Sequence, residues 1–347
     1  MPETVRAYVA ELTAPRTLQW RNEELYTDRL APGEILVMTE NSTLSPGTEL
    51  AAWRGDPPLR PMKVYPRVVG YCHVGRVLAV GADVEYPVPG DRVLTYQSHR
   101  SACVIPAGNI AAVLPETLDP VAASTAYLFH LGYNALLKAD IRAGMHVAVV
   151  GLGVLGLTST ALAVQAGAEV YAFSNHQEAR EKASVFGAKA VFAKDGRDRI
   201  ASDLNDLTRG VGVDVVISTS NSWSDWELTM KLARRGGTIA VLGFPGRGQP
   251  RWEQNPLDSR WFYDKQLTLI ACGFSPNLDV SPYDVRFTQA RNMAWLLDRI
   301  EEGRLPGREL VTDILPAADL TKAYERLEAR EPGLLTLSLD WRGSAPV

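Results

Sequence analysis

Cysteine is scarce in this chain. Cys72, Cys103 and Cys272 are the only three in 347 residues, an odd number too sparse for a disulfide framework or a four-cysteine zinc site. Reduced thiols in a reducing compartment fit best. Long apolar runs are also missing: no stretch of about 18 apolar residues occurs, and the start MPETVRAYVAELTAP lacks a basic region followed by an apolar one. A membrane partner is therefore not expected, and the cytoplasm is the expected location. Nor is there an excess of one charge. The formal net charge is −4 and Lys and Arg are scattered, which argues against nucleic acid as a partner. No internal repeat or low-complexity tract is visible.

What remains is an ordinary globular composition, 46% hydrophobic and 22% charged, in a chain long enough for about two domains. Over residues 1–119 short β-type runs (VRAYVA, EILVMTE, HVGRVLAV, DRVLTYQ, CVIPAGNIAAVLP) are broken by Pro and Gly, the pattern of a β-rich domain. Over 120–272 apolar strands alternate with helical segments: HVAVV at 146–150, EVYAF at 169–173, KAVFA at 189–193, VDVVIS at 213–218, TIAVLG at 238–243 and LTLIAC at 267–272. That alternation predicts an α/β fold with a doubly wound parallel sheet of the Rossmann type. Residues 273–347 carry helices at about 286–302 and 317–329 and a last β-type run, LLTLSLDW, so the chain is expected to return to the first domain.

The segment GLGVLG follows the strand HVAVV and opens a helical run. In that context Gly151 allows a tight turn, Gly153 lets the backbone approach a pyrophosphate, and Gly156 permits close packing of helix on strand. Val154 and Leu155 then begin a helix whose free N–H groups face the phosphates. The end of the second strand, EVYAFSNHQEAR, discriminates between dinucleotides. NAD sites usually place Asp or Glu there, whereas this chain has Ser174. With Asn175, His176 and Arg180 nearby to donate hydrogen bonds or positive charge, NADP(H) is the expected cofactor. Further contacts are expected from the carboxyl ends of later strands: Thr219, Ser220, Gly243, Phe244, Gly273 and Phe274.

Over nearly its whole length the chain resembles the medium-chain dehydrogenase/reductase superfamily, zinc-type alcohol dehydrogenase-like. The residues that carry the likeness are SPGTEL (45–50), VVGYCHVGRVLAVG (68–81), VPGDRV (88–93), GLGVLG, FGAKAV (186–191) and PAADLTKAYERLE near the end. SPGTE and the ending LSLDW are similar to the bacteriochlorophyllide dehydrogenase branch. The resemblance implies a GroES-like catalytic domain beside the Rossmann domain. It also implies where a catalytic zinc would bind, and there this chain departs from the pattern. Pro46 stands at the Cys position, Tyr71 at the His position, Cys72 at the Glu position and Tyr127 near the third ligand, so no metal is expected. The lobe of four cysteines that holds a structural zinc in many relatives is missing as well. Cys72, His73, His99 and His130 remain as an improvised alternative site, although their spacing matches no known metal pattern.

Hydride transfer leaves charge on oxygen or carbon that must be stabilised and protonated. Thr48 matches the hydroxyl of the proton relay in zinc-dependent relatives, and Tyr71 stands where a ligand would be. These two lead, with Ser45, Glu49 and Tyr127 next and His130 and Lys265 outside them. Glu49 reads first as a structural acceptor of backbone N–H groups in its loop, and the alternative for Tyr71 is a filler of the volume left by metal and ligand. Three activities follow: an NADP(H)-linked alcohol/ketone oxidoreductase in a biosynthetic pathway, an enoyl or quinone reductase, or a non-catalytic NADPH-binding protein. The apolar last strand LTLIAC needs a cover, which points to a homodimer, and the partner is otherwise a small-molecule substrate.

Overall fold

The computed structural model describes residues 4–57, 65–195, 197–273, 275–276, 280–281 and 283–343. The chain divides into two compact units, one formed by Met1–Tyr127 with Asn277–Val347 and the other by Leu128–Pro276.

The second unit is a six-stranded sheet in the spatial order Ala190–Phe192, Glu169–Phe173, His146–Val150, Val213–Ser218, Ala233–Val241 and Thr268–Ala271. Every pairing is parallel, so this is the doubly wound sheet read from the sequence. Three expected strands, at 146–150, 169–173 and 213–218, coincide with the observed ones residue for residue. The reason is physical. Strands buried on both faces become near-continuous apolar runs, and Val147 to Val150 and Val170 to Phe173 have almost no exposed surface. The strand expected from 238 begins earlier, at Ala233, with an irregularity opposite Val213 and Val215. Its polar opening ARRGG hid that extension.

The helix Trp223–Leu232 ends against a lysine. Lys265 Nζ donates to the carbonyls of Met230 (3.2 Å), Lys231 (2.7 Å) and Ala233 (2.8 Å). A cation is favourable at the negative end of the helix dipole, and these carbonyls lack intrahelical partners. Lys265, an outside candidate for catalysis, is thus a helix cap, with burial lowering its pKa.

The first unit holds a sheet in the order Val311–Pro316, Thr336–Asp340, Glu34–Thr43, His73–Val80, Arg92–Thr95 and Ile110–Leu114, with Ala102–Pro106 also paired to Glu34–Thr43. The return of the chain is explicit here: Ser338, Leu339 and Asp340 pair antiparallel with Thr43, Ser42 and Asn41. A smaller sheet joins Thr17–Tyr26, Thr4–Ala14 and Arg67–Val68. Thr17–Tyr26 was not expected as a strand. It pairs on one side only and leaves most residues partly or fully exposed, so TLQWRNEELY carries little apolar signal.

The breaks between the units also differ from those expected at 120 and 273. The short helix Pro120–Ser124, with Val121 N donating to the Asp119 side chain at 3.0 Å, stays with the first unit. Its Ser124 Oγ lies 2.6 Å from Thr43 Oγ1, and its Pro120 carbonyl accepts from Asn41 Nδ2 at 3.2 Å. The first unit therefore runs to Tyr127, just inside the helix Ala126–Lys138, and resumes at Asn277.

Around the return, Trp53, Leu337, Leu339, Tyr324 and Trp341 share one buried cluster. The rings of Trp53 and Tyr324 stack at 5.2 Å, and Trp20 meets Trp341 edge-on at 5.9 Å. Among the described residues no helix is long and apolar enough to cross a membrane.

Replacing Lys265 by Met keeps the stem and removes the three donated hydrogen bonds. The expected loss is about 1–3 kcal/mol of stability, read as a lower urea midpoint at unchanged slope.

Candidate active site

Two sets of residues carry chemistry, one in each unit. In the second unit the glycine loop has the form its sequence requires. Gly151 has φ +95°, and a Cβ there would lie 2.8 Å from Thr219 Oγ1. A Cβ on Gly156 would lie 1.8 Å from the Gly151 carbonyl oxygen, so the helix Val154–Gln165 reaches this close to its own loop only with glycine at that position. Around Gly153, by contrast, a Cβ would meet nothing within 4 Å, and no side chain caps the helix that starts after it. Open space in front of uncapped N–H groups is what a diphosphate needs. The loop is held from behind by Thr219, whose hydroxyl donates to the Gly151 carbonyl at 2.8 Å.

At the end of Glu169–Phe173, Ser174 is buried and His176 N donates to its hydroxyl at 3.2 Å. Arg180 Nη1 donates to the Ser174 carbonyl at 2.6 Å, which brings the guanidinium to the strand end instead of leaving it in solvent. Asn175 and His176 are exposed, and Asn175 Oδ1 accepts from Lys194 N at 2.7 Å. Ser220 Oγ accepts from Ser222 N, and Gly243 lies so close to the Thr219 and Ser220 backbone that a Cβ would come within 2.8 Å of it. Phe244 is partly exposed and packs under the Arg247 guanidinium at 3.9 Å. Gly273 is exposed, and Phe274 lies outside the described residues. These residues fit a nicotinamide dinucleotide.

In the first unit the structure gathers Ser45, Thr48, Glu49, Tyr71 and Tyr127. Ser45 is the N-cap of the helix Pro46–Arg54, with Pro46 at its first position. An N-cap serine ordinarily spends its hydroxyl on the helix backbone. Here it does not. Glu49, one turn on, accepts the Ser45 backbone N–H at 2.7 Å, and the Ser45 hydroxyl is left to accept a short hydrogen bond from the Tyr71 hydroxyl. Thr48 is exposed and also reaches the Tyr71 hydroxyl. Tyr127 meets Tyr71 edge-on at 5.3 Å and Tyr96 at 5.1 Å, so three partly exposed tyrosine rings adjoin. Burial pushes the Tyr71 phenol far above the usual tyrosine range, and Tyr127 up to about 12. Both stay protonated at any working pH.

Behind these hydroxyls lies a network that the sequence did not reveal. Glu49 is 2% exposed; its Oε2 lies 2.9 Å from His99 Nε2 and accepts from the Tyr324 hydroxyl at 2.7 Å. On the far side of the imidazole, His99 Nδ1 is 2.7 Å from Ser42 Oγ, which accepts from Trp341 Nε1 at 2.9 Å. With Trp341 donating to Ser42, Ser42 donates to Nδ1 and Nε2–H donates to the carboxylate, so each group is satisfied with Glu49 as an anion. Gly70 makes room for this. Its φ is +90°, and a Cβ would lie 2.7 Å from the His99 ring.

The same accounting tests the site for zinc. His73 is fully buried, with Nε2 at 2.7 Å from Thr39 Oγ1 and Nδ1 at 2.8 Å from Thr95 Oγ1; burial holds its pKa down at about 3. Burial, with the Glu49 charge adding to it, raises the Cys72 thiol well above its usual range. His130 belongs to the other unit, where burial lowers it to about 4. Among the described residues no group of three His, Cys, Asp or Glu side chains is placed to hold a metal. The donor set does not fit catalytic zinc.

Of the residues missed in the sequence, Gly70 is the one with a readable signal, a glycine inside VVGYC. Tyr324 looks like any apolar-face residue of an amphipathic helix, and His99 like an isolated histidine.

Residues 154–285 match the family model described as zinc-binding dehydrogenase. The chain is 24% identical to the L-galactonate-5-dehydrogenase of Escherichia coli, over 90% of this chain and 92% of that one. It is 28% identical to the NADP-dependent isopropanol dehydrogenase of Thermoanaerobacter brockii, over 52% of this chain and 62% of that one. Among solved structures, 2R,3R-butanediol dehydrogenase from Bacillus subtilis superposes with a TM-score of 0.79 at 18% identity, covering 96% of this chain and 99% of that one.

Two tests follow from the geometry. Gly70→Ala drives a methyl into the His99 ring at a left-handed backbone position, and should cost several kcal/mol or prevent folding, on the order of 3 kcal/mol where it folds. His73 takes up a proton at ~6.5 in the unfolded chain but only at about 3 in the fold. Stability is therefore complete above that window and falls as pH drops through it, by about 2 kcal/mol at pH 5. Urea midpoints from pH 7 to 5 should fall less steeply for His73→Gln.

Proposed function

Because the chain belongs to the zinc-type alcohol dehydrogenase-like branch of the medium-chain dehydrogenase/reductase superfamily, we propose that it is a zinc-independent, NADP(H)-linked oxidoreductase acting on an alcohol/ketone pair. The observation that carries this reading is the hydrogen-bonded pair of Tyr71 and Ser45 with Thr48 beside it, Tyr71 standing where the superfamily resemblance puts a metal ligand and Thr48 where it puts the relay hydroxyl.

When bound, the nicotinamide supplies or accepts the hydride. Gly151, Gly153 and Gly156 leave room for the diphosphate, and the start of the helix Val154–Gln165 presents its N–H groups to it. Ser174, Asn175, His176 and the anchored Arg180 suit a 2′-phosphate, which a carboxylate at that strand end would repel.

On the substrate side, a carbonyl becoming an alkoxide needs a donor. The Tyr71 hydroxyl keeps its proton throughout the working range; once the Ser45 hydroxyl turns to donate to the phenol oxygen, that proton is free to hydrogen-bond the carbonyl oxygen and pass to it as negative charge develops there. Ser45, hydrogen-bonded to Tyr71, fixes the phenol's direction, and Thr48 offers a second hydroxyl at the exposed end. Tyr127 and Tyr96 give the aromatic surroundings in which the substrate's carbon frame would rest.

Among the described residues the strand Thr268–Ala271 is the outer strand of its sheet and has one edge without a strand partner, which supports a homodimer formed at that edge. Light scattering should give twice the chain mass; the mass of a single chain would remove this part of the reading.

Tyr71→Phe should lower kcat for NADPH-linked ketone reduction by about 100-fold with KM for NADPH unchanged. Ser174→Asp should lower kcat/KM with NADPH relative to NADH by about 10- to 100-fold. Metal analysis of the active enzyme should find no stoichiometric zinc. Turnover carried by a bound zinc, or full activity of the phenylalanine variant, would refute the mechanism.

A further inference from the structure

Glu49 receives its three hydrogen bonds from parts of the sequence far apart: the backbone of Ser45, the imidazole of His99 and the hydroxyl of Tyr324. Neither His99 nor Tyr324 has any exposed surface, so neither can touch a substrate. Yet both are linked to the hydroxyl cluster through one rigid carboxylate. Oε1 fixes the Ser45 backbone, and the Ser45 side chain, which makes no cap bond to its own helix, stays under Tyr71. Oε2 takes both remaining donors, which fix the plane of the carboxylate and so the place of Oε1. The imidazole is itself fixed from behind by Ser42 and Trp341.

A carboxylate needed only for folding could use any three donors. In this case the bonds form a single path from the closing segments of the chain to a hydroxyl at the surface of the site. Every side chain on it is held at its polar end.

We infer that Tyr324 and His99 are positioning residues for the reaction, acting through Glu49 and Ser45 on the Tyr71 hydroxyl. This rests on the reading of Tyr71 as the proton donor. Tyr324→Phe is the mildest variant, since the ring and its stack on Trp53 are retained and one hydrogen bond is lost. It should lower kcat for NADPH-linked ketone reduction about three- to tenfold, with KM for NADPH unchanged. In a Tyr71→Phe background the same change should cost less than about twofold, because its effect passes through the hydroxyl already removed. His99→Gln should behave in the same way.

A second measurement needs no turnover. In protein carrying 3-fluorotyrosine, the fluorine resonance that disappears in Tyr71→Phe belongs to Tyr71, and it should move in both Tyr324→Phe and His99→Gln. Equal losses in the two backgrounds, no loss in either, or an unmoved Tyr71 resonance would overturn the inference. Should Tyr71→Phe retain full turnover, the donor role fails, and the fluorine resonance alone decides whether the coupling exists.

Discussion

A buried carboxylate organises the unit formed by the two ends of the sequence. Removing a carboxylate from water costs several kcal/mol unless its oxygens are hydrogen-bonded, and Glu49 meets that demand with a backbone N–H, an imidazole and a phenol. Once those three are committed, much else follows. Ser45 must sit where its N–H reaches Oε1, His99 must lie against a residue without a side chain, and Tyr324 must come in from the C-terminal helix Leu320–Glu328. The cluster of hydroxyls exists because this charge is satisfied behind it.

The dinucleotide unit is organised differently, by close approach of backbones. Gly151 and Gly156 each stand where a Cβ would meet another residue's main chain or a fixed hydroxyl, while Gly153 between them faces open space. The outer two shape the loop and the middle one leaves it accessible. That division of labour gives the GLGVLG motif its meaning beyond a pattern of letters.

Those two modes of organisation explain what could be read in advance. Strands buried on both faces and glycines forced by backbone contact write themselves into local sequence, so three strands of the parallel sheet were legible down to individual residues, and so was the turn at Gly151 to Gly156. Ser45, Thr48 and Tyr71 were legible through their place in SPGTEL and VVGYC. The Glu49 network was not, because Ser42, His99, Tyr324 and Trp341 are brought together only by folding, and none stands in a local pattern that marks it. Thr17–Tyr26 escaped for the opposite reason: a strand exposed along most of its length needs few apolar residues. The break between units was displaced because the helix Pro120–Ser124 takes its partners, Thr43 and Asn41, from a strand far upstream.

The pairing of Ser338 to Asp340 with Thr43 to Asn41 has a consequence for how the protein is made. Residues 128–276 leave the ribosome together and can fold while synthesis continues, since their contacts lie within one continuous stretch. The other unit must wait. Its central strand lacks a neighbour until Ser338 to Asp340 have been made, and until then Glu49 also lacks Tyr324 and the Trp341-braced imidazole. The carboxylate therefore stays in water while the unit waits, and its last donors arrive only with the segment 320–341.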